Sequence, residues 1–154
     1  FSKAGFLLPK PLVPVSGVPM IIKVINSLPE SDKWVFIVRK EHVDRYAVDK
    51  IIKQEVPNAI IVEVSKTTQG QASTCMLASP YVEDDEPILI AACDNALVYN
   101  QTKFGKLIAR SDVDMVVWTF TNYENMRKNP QNYGWCRLAS DNETIVGMSV
   151  KLSI

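Results

Sequence analysis

Between Leu8 and Met20 the chain reads Leu-Pro-Lys-Pro-Leu-Val-Pro-Val-Ser-Gly-Val-Pro-Met, with four prolines in thirteen residues. Proline fixes φ and donates no backbone hydrogen bond, so this stretch forms neither a regular helix nor a central strand. Lys10 stands between Pro9 and Pro11 on a stiff backbone. A stiff backbone presents an ammonium group at low entropic cost, which suits a lysine that meets a phosphate. The same residues also fit a proline-rich surface loop whose lysine is merely solvated.

The 154 residues are enough for one domain with a real core. Seventeen basic residues balance seventeen acidic ones, so no charge excess points to nucleic acid or to a membrane surface. No apolar run is long enough to span a bilayer, and the N-terminus shows no signal-peptide pattern. Cys75, Cys93 and Cys136 are far apart and lack nearby histidines. They read as small hydrophobes of a reducing cytosol rather than as a zinc site or a disulfide framework.

Hydrophobic periodicity predicts a helix opening at Pro19, with Met20, Ile21, Val24, Ile25 and Leu28 on one face and Pro29 as its end. Apolar runs predict strands at 34–38, 59–64, 88–93 and 115–120. Helical spacing predicts helices over 41–55, where Val43, Ala47 and Ile51 fall four apart with charges between them, and over 70–81 and 102–109. Residues 83–86, all acidic, read as a solvated turn. Residues 135–139 and 144–150 read as two strands joined at Asp141-Asn142. The alternation predicts an α/β fold, a mostly parallel sheet with helices on both faces. In such sheets ligands bind beyond the carboxyl ends of strands, which singles out Asp94, residues 65–70 and the loop after Phe120. A carboxylate placed like Asp94 can hold Mg²⁺ while water and phosphate complete its shell; it can also serve as a cap or turn residue.

Pro9-Lys10-Pro11-Leu12-Val13-Pro14-Val15, followed by Gly17 and Pro19-Met20-Ile21, resembles the signature of the sugar-phosphate nucleotidyltransferases. In that family a glycine-rich loop carrying an arginine precedes this segment, and the lysine contacts phosphates. The chain opens at Phe1 without that loop. The resemblance implies a single nucleotidyltransferase core domain, residues 1–154, truncated at both ends, with a three-layer Rossmann-like sheet and an inserted sugar-binding portion. Asp94 resembles the family's metal-binding aspartate, with Cys93 in place of a small residue before it. Gly70 resembles the glycine that approaches the nucleotide base, although Ser65 and Thr68 replace the glutamine and proline of the hexose-1-phosphate pattern. Tyr133-Gly134 resembles the pair that lines the sugar pocket. Lys151 matches the lysine that meets the sugar phosphate, with Val150 where a glutamate is expected.

The implied activity joins a nucleoside triphosphate to a sugar phosphate with Mg²⁺ on Asp94 and releases pyrophosphate. Lys10 and Asp94 are the expected catalytic residues, and Gly70, Tyr133, Gly134 and Lys151 the expected substrate contacts. The implied setting is cytoplasmic, with no nucleic-acid or membrane partner, and self-association is left open. The family's second metal-binding aspartate is expected beyond Ile154. Two other readings share these residues: a glycosyltransferase with a related nucleotide-sugar-binding sheet, and a non-catalytic regulatory domain of the same fold.

Overall fold

The structure, a computed structural model, describes Gly5 and residues 7–151. Contacts divide the chain into two compact units, Phe1–Gln101 and Thr102–Ile154.

In the first unit the proline-rich stretch makes a single 3₁₀ turn, Lys10–Leu12, and then a small hairpin. Strands β1 (Pro14–Val15) and β2 (Val18–Pro19) pair antiparallel. Ser16 and Gly17 between them both have positive φ, 51° and 81°. That is the backbone twist of a two-residue hairpin turn, and glycine at the second position lowers its cost. Helix α1 (Met20–Ile25) follows with Pro19 as its N-cap. It buries Ile21, Val24 and Ile25, as the spacing predicts, and Ile22 besides, while Met20 and Leu28 are half-buried. It ends a turn earlier than expected, and single turns carry the chain on to Leu28.

Strand β3 (Val35–Arg39) pairs in parallel with β4 (Ile60–Val64), Val35 opposite Ile60 and Arg39 opposite Val64. The expected helix over 41–55 is two helices, α2 (Lys40–Tyr46) and α3 (Val48–Glu55). Ala47 separates them with φ at 50°, in the left-handed region. There the Ala47 N–H closes onto the Val43 carbonyl at 3.0 Å and the helix axis breaks. The break shifts the buried face by one residue. Val48 and Ile52, each 1% exposed, occupy the core, whereas the sequence spacing pointed to Ala47 and Ile51. Leu12, Ile21, Ile22, Ile25, Val48, Ile52 and Ala59 form that core, and Trp34, Phe36 and Cys93 pack against it. Helix α4 (Gln71–Cys75) passes into a 3₁₀ helix, Met76–Tyr81, rather than one helix over 70–81. Pro80, inside that segment, removes a donor that a regular helix needs.

The second unit contains α5 (Gln101–Ile108, which starts at the boundary), α6 (Glu124–Lys128), a 3₁₀ turn at Pro130–Asn132 and a hairpin. Strands β5 (Gly134–Leu138) and β6 (Ile145–Val150) pair antiparallel, with an irregularity between Arg137 and Leu138. The Asp141 carboxylate closes the connecting loop. It accepts from the Glu143 and Thr144 amides, each at 2.9 Å, and from the Thr144 hydroxyl at 2.6 Å. These bonds, the hydroxyl's first, pull its pKa from the ordinary 3.8 to about 2. A depressed carboxylate contributes stability above its ordinary pKa and loses it as pH falls through the folded value. The loop is therefore expected to hold at pH 5 and open between about pH 4 and 2. The Thr144 amide resonance should report that transition, and Asp141→Asn should abolish it.

The three-layer Rossmann-like fold expected from the sequence is corrected by this architecture. The sheets among the described residues are three separate two-stranded pairs, one parallel and two antiparallel. Residues 88–93 and 115–120, expected as strands, join no ladder. Ile88, Leu89 and Ile90 are 61%, 42% and 54% exposed, far from the burial a central parallel strand requires. An apolar run signals the wish for burial, but a strand exists only where a neighbour supplies its hydrogen bonds. Among the described residues no helix is long and apolar enough to cross a membrane.

Candidate functional site

Lys10 is fixed from its own turn. The Leu12 amide donates to the Pro9 carbonyl at 2.9 Å, the Val13 amide to the Lys10 carbonyl at 3.2 Å, and Leu12 is buried in the core. The Met20 amide then donates to the Val13 carbonyl at 3.0 Å, tying the turn to the start of α1. Asp94 is fixed to the same helix from the other side. Cys93 packs on the core beside it, and the Leu97 amide donates to the Ser27 hydroxyl at 3.0 Å. That hydroxyl donates in turn to the Val24 carbonyl at 2.8 Å.

Two segments docked on one helix thus bring together side chains 84 residues apart: the Lys10 Nζ donates directly to the Asp94 Oδ2. The side chains keep 39% and 31% of their exposure. An ion pair with that access to water contributes at most about 1 kcal/mol, so a ligand that offers either partner more can displace it. Burial pushes the Cys93 thiol up, and the neighbouring Asp94 charge adds to the shift. Cys93 therefore stays a protonated packing group rather than a thiolate.

No group of three or more histidine, cysteine or acidic side chains converges among the described residues. Asp94 offers one carboxylate. That donor set fits a hard cation such as Mg²⁺, which takes one or two protein carboxylates and completes its shell with phosphate and water oxygens. It does not fit zinc, which takes three or four protein ligands.

Gly70, also in the first unit, has extended backbone, and a Cβ built there meets nothing within 4 Å. Its carbonyl is the loop's anchor. It accepts from the Thr74 amide at 3.0 Å, the Thr74 hydroxyl at 2.9 Å and the Thr68 hydroxyl at 3.1 Å. Thr68 therefore braces the loop by hydrogen bonding.

The second unit brings together Tyr133, Gly134 and Lys151. The Lys151 amide donates to the Tyr133 carbonyl at 3.0 Å, extending the pairing of Gly134 with Val150 by one step. Lys151 has φ at 64°, so it leaves the strand in a left-handed turn. A Cβ at Gly134 would sit 3.7 Å from the Ser149 carbonyl oxygen, an ordinary contact. Sequence reasoning missed two neighbours. Phe120 and Tyr123 meet the Tyr133 ring edge-on, with centroids 6.0 and 6.2 Å away, and meet each other at 5.7 Å. Their signal was present, as two large aromatics flanking the otherwise polar Thr121-Asn122.

A separate cleft of about 760 Å³ is lined by Ile25, Glu30, Asp32, Trp34 and Tyr99 among others, and by none of the residues above. It is broad and open, and it gathers no cationic side chain to hold a phosphate. No family model, curated protein or solved structure matches the chain.

Proposed function

We propose that the chain carries part of the active site of a sugar-phosphate nucleotidyltransferase. The observation that supports this most is the meeting of Lys10 and Asp94 across 84 residues. An ammonium and a carboxylate at one solvent-accessible point supply the two charges that a metal-bound polyphosphate needs. In the reaction a phosphate oxygen of the sugar phosphate attacks the α-phosphorus of a nucleoside triphosphate. The bond to the β-phosphate bridging oxygen breaks, and pyrophosphate leaves with that electron pair. No covalent enzyme intermediate is needed; positioning and charge carry the rate.

Lys10 neutralises phosphate oxygens as negative charge moves to the leaving group. Asp94 would hold Mg²⁺, which would supply further electrostatic stabilisation when bound. Gly70 leaves room for the nucleotide base. Lys151 holds the acceptor phosphate, and the Tyr133 ring packs on the sugar, with Gly134 giving it access. The substrates are a nucleoside triphosphate and a sugar phosphate, and the setting is the cytoplasm.

Pyrophosphate release by the full-length protein, measured with a panel of nucleoside triphosphates and sugar 1-phosphates, tests the proposal. Release that requires both substrates is the expected result. Sugar transfer from a ready-made nucleotide sugar, without pyrophosphate, would instead identify a glycosyltransferase. Ligand binding with no turnover would identify a regulatory domain, a reading that Val150 and Ser65 in place of the family's glutamate and glutamine favour.

A further inference from the structure

We propose that the Lys10–Asp94 ion pair is a latch that couples anion binding to cation binding at this site. The proposal rests on the nucleotidyltransferase reading and deepens it. The Lys10 ammonium donates to one oxygen of Asp94 and offsets the charge that would hold a hard cation there. The carboxylate, in turn, occupies a donor that a phosphate would use on Lys10. A polyphosphate that takes the ammonium releases the carboxylate, and a cation that takes the carboxylate releases the ammonium. By linkage, each ligand strengthens the other by the same factor.

The setting favours this exchange over a structural role for the pair. Both backbones are already held, Lys10 through buried Leu12 and Asp94 through Cys93 and the Leu97–Ser27 bond. Neither segment depends on the ion pair for its place. Both side chains are open enough for solvent-borne ligands to reach them. A metal–triphosphate complex engages both partners in one event. A free cation or a free polyphosphate must weaken the pair's attraction to gain a single contact. The latch therefore selects the complex over either component, before any chemistry.

Binding to the full-length protein, with one probe at a time, tests the latch. Mn²⁺ alone is followed by water-proton relaxation, and inorganic tripolyphosphate alone by calorimetry with a metal chelator present. Lys10→Met is expected to bind Mn²⁺ about three- to fivefold more tightly than the parent, because its carboxylate is no longer engaged. Asp94→Asn is expected to bind tripolyphosphate tighter by about the same factor. Lys10→Gln and Asp94→Ala repeat the test with different side chains, and thermal melts verify folding. A variant that binds its probe no more tightly than the parent overturns the latch. If the parent nonetheless binds both probes, the nucleotidyltransferase reading stands. If neither the parent nor any variant binds its probe, both readings fall.

Discussion

Lys10→Ala is expected to lower pyrophosphate release by the full-length protein about a hundredfold and to leave the melting temperature nearly unchanged. Removing one charge contact that matters in the transition state costs about 3 kcal/mol, and each 1.4 kcal/mol is about tenfold in rate. The fold has little stake in the ammonium. Its ion pair is solvent-accessible, and the surrounding turn is held by proline geometry, backbone hydrogen bonds and the burial of Leu12. Asp94, left alone, retains access to water and escapes the penalty of a buried unpaired charge. Steady-state rates at saturating substrate, beside a thermal melt, make the measurement. Unchanged release would remove Lys10 from phosphate chemistry, whereas a large fall in melting temperature would assign it to the fold.

Ile52→Ala should show the opposite profile, a loss of stability of about 2–5 kcal/mol. Ile52 is 1% exposed and lies in the core with Val48 and the apolar face of α1. Truncation removes the transfer energy of its side chain and leaves a cavity that the two helices and the β3–β4 pair can only partly close. Domains are stable by only about 5–15 kcal/mol, so the effect is a sizeable share of the total. Because α1 also carries the segments that hold Lys10 and Asp94, the loss should appear in ligand binding as the temperature rises. Urea titration provides the value. A cost below about 1 kcal/mol would contradict a close-packed core at this position.

Local elements were the legible part of the sequence. Proline content excluded a helix at 8–19, and apolar spacing located α1, β3, β4, α5 and the β5–β6 hairpin to within a few residues. These features depend on neighbours a few positions away. The sheet did not follow, because strand pairing depends on segments far apart in the chain. Residues 88–93 have the apolar pattern of a buried strand but no ladder partner. The α2–α3 break was equally hidden. Nothing in Val43, Ala47 and Ile51 reveals that the backbone turns left-handed at Ala47, where glycine or asparagine would have signalled it.

The family resemblance nominated candidate residues one by one, and their assembly could not be read from it. Lys10 and Asp94 were each expected on a phosphate or a metal, and their direct pairing emerges only when both segments dock on α1. Tyr133, Gly134 and Lys151 converge because the β5–β6 register places them together, a consequence of the hairpin that the sequence did signal. The aromatic contacts from Phe120 and Tyr123 needed the three-dimensional path of the intervening loop.

The central claim is that Asp94 is a metal-binding carboxylate of a nucleotidyl-transfer site. Pyrophosphate release against Mg²⁺ concentration, for the full-length parent and Asp94→Asn, tests it most directly. Asparagine preserves the shape and still accepts a hydrogen bond from Lys10, but it lacks the charge that holds a hard cation. The account predicts that Asp94→Asn loses the Mg²⁺ response and most of its release while melting like the parent. A variant with the parent's activity and the parent's Mg²⁺ dependence would contradict it and leave Asp94 as a turn residue paired with Lys10.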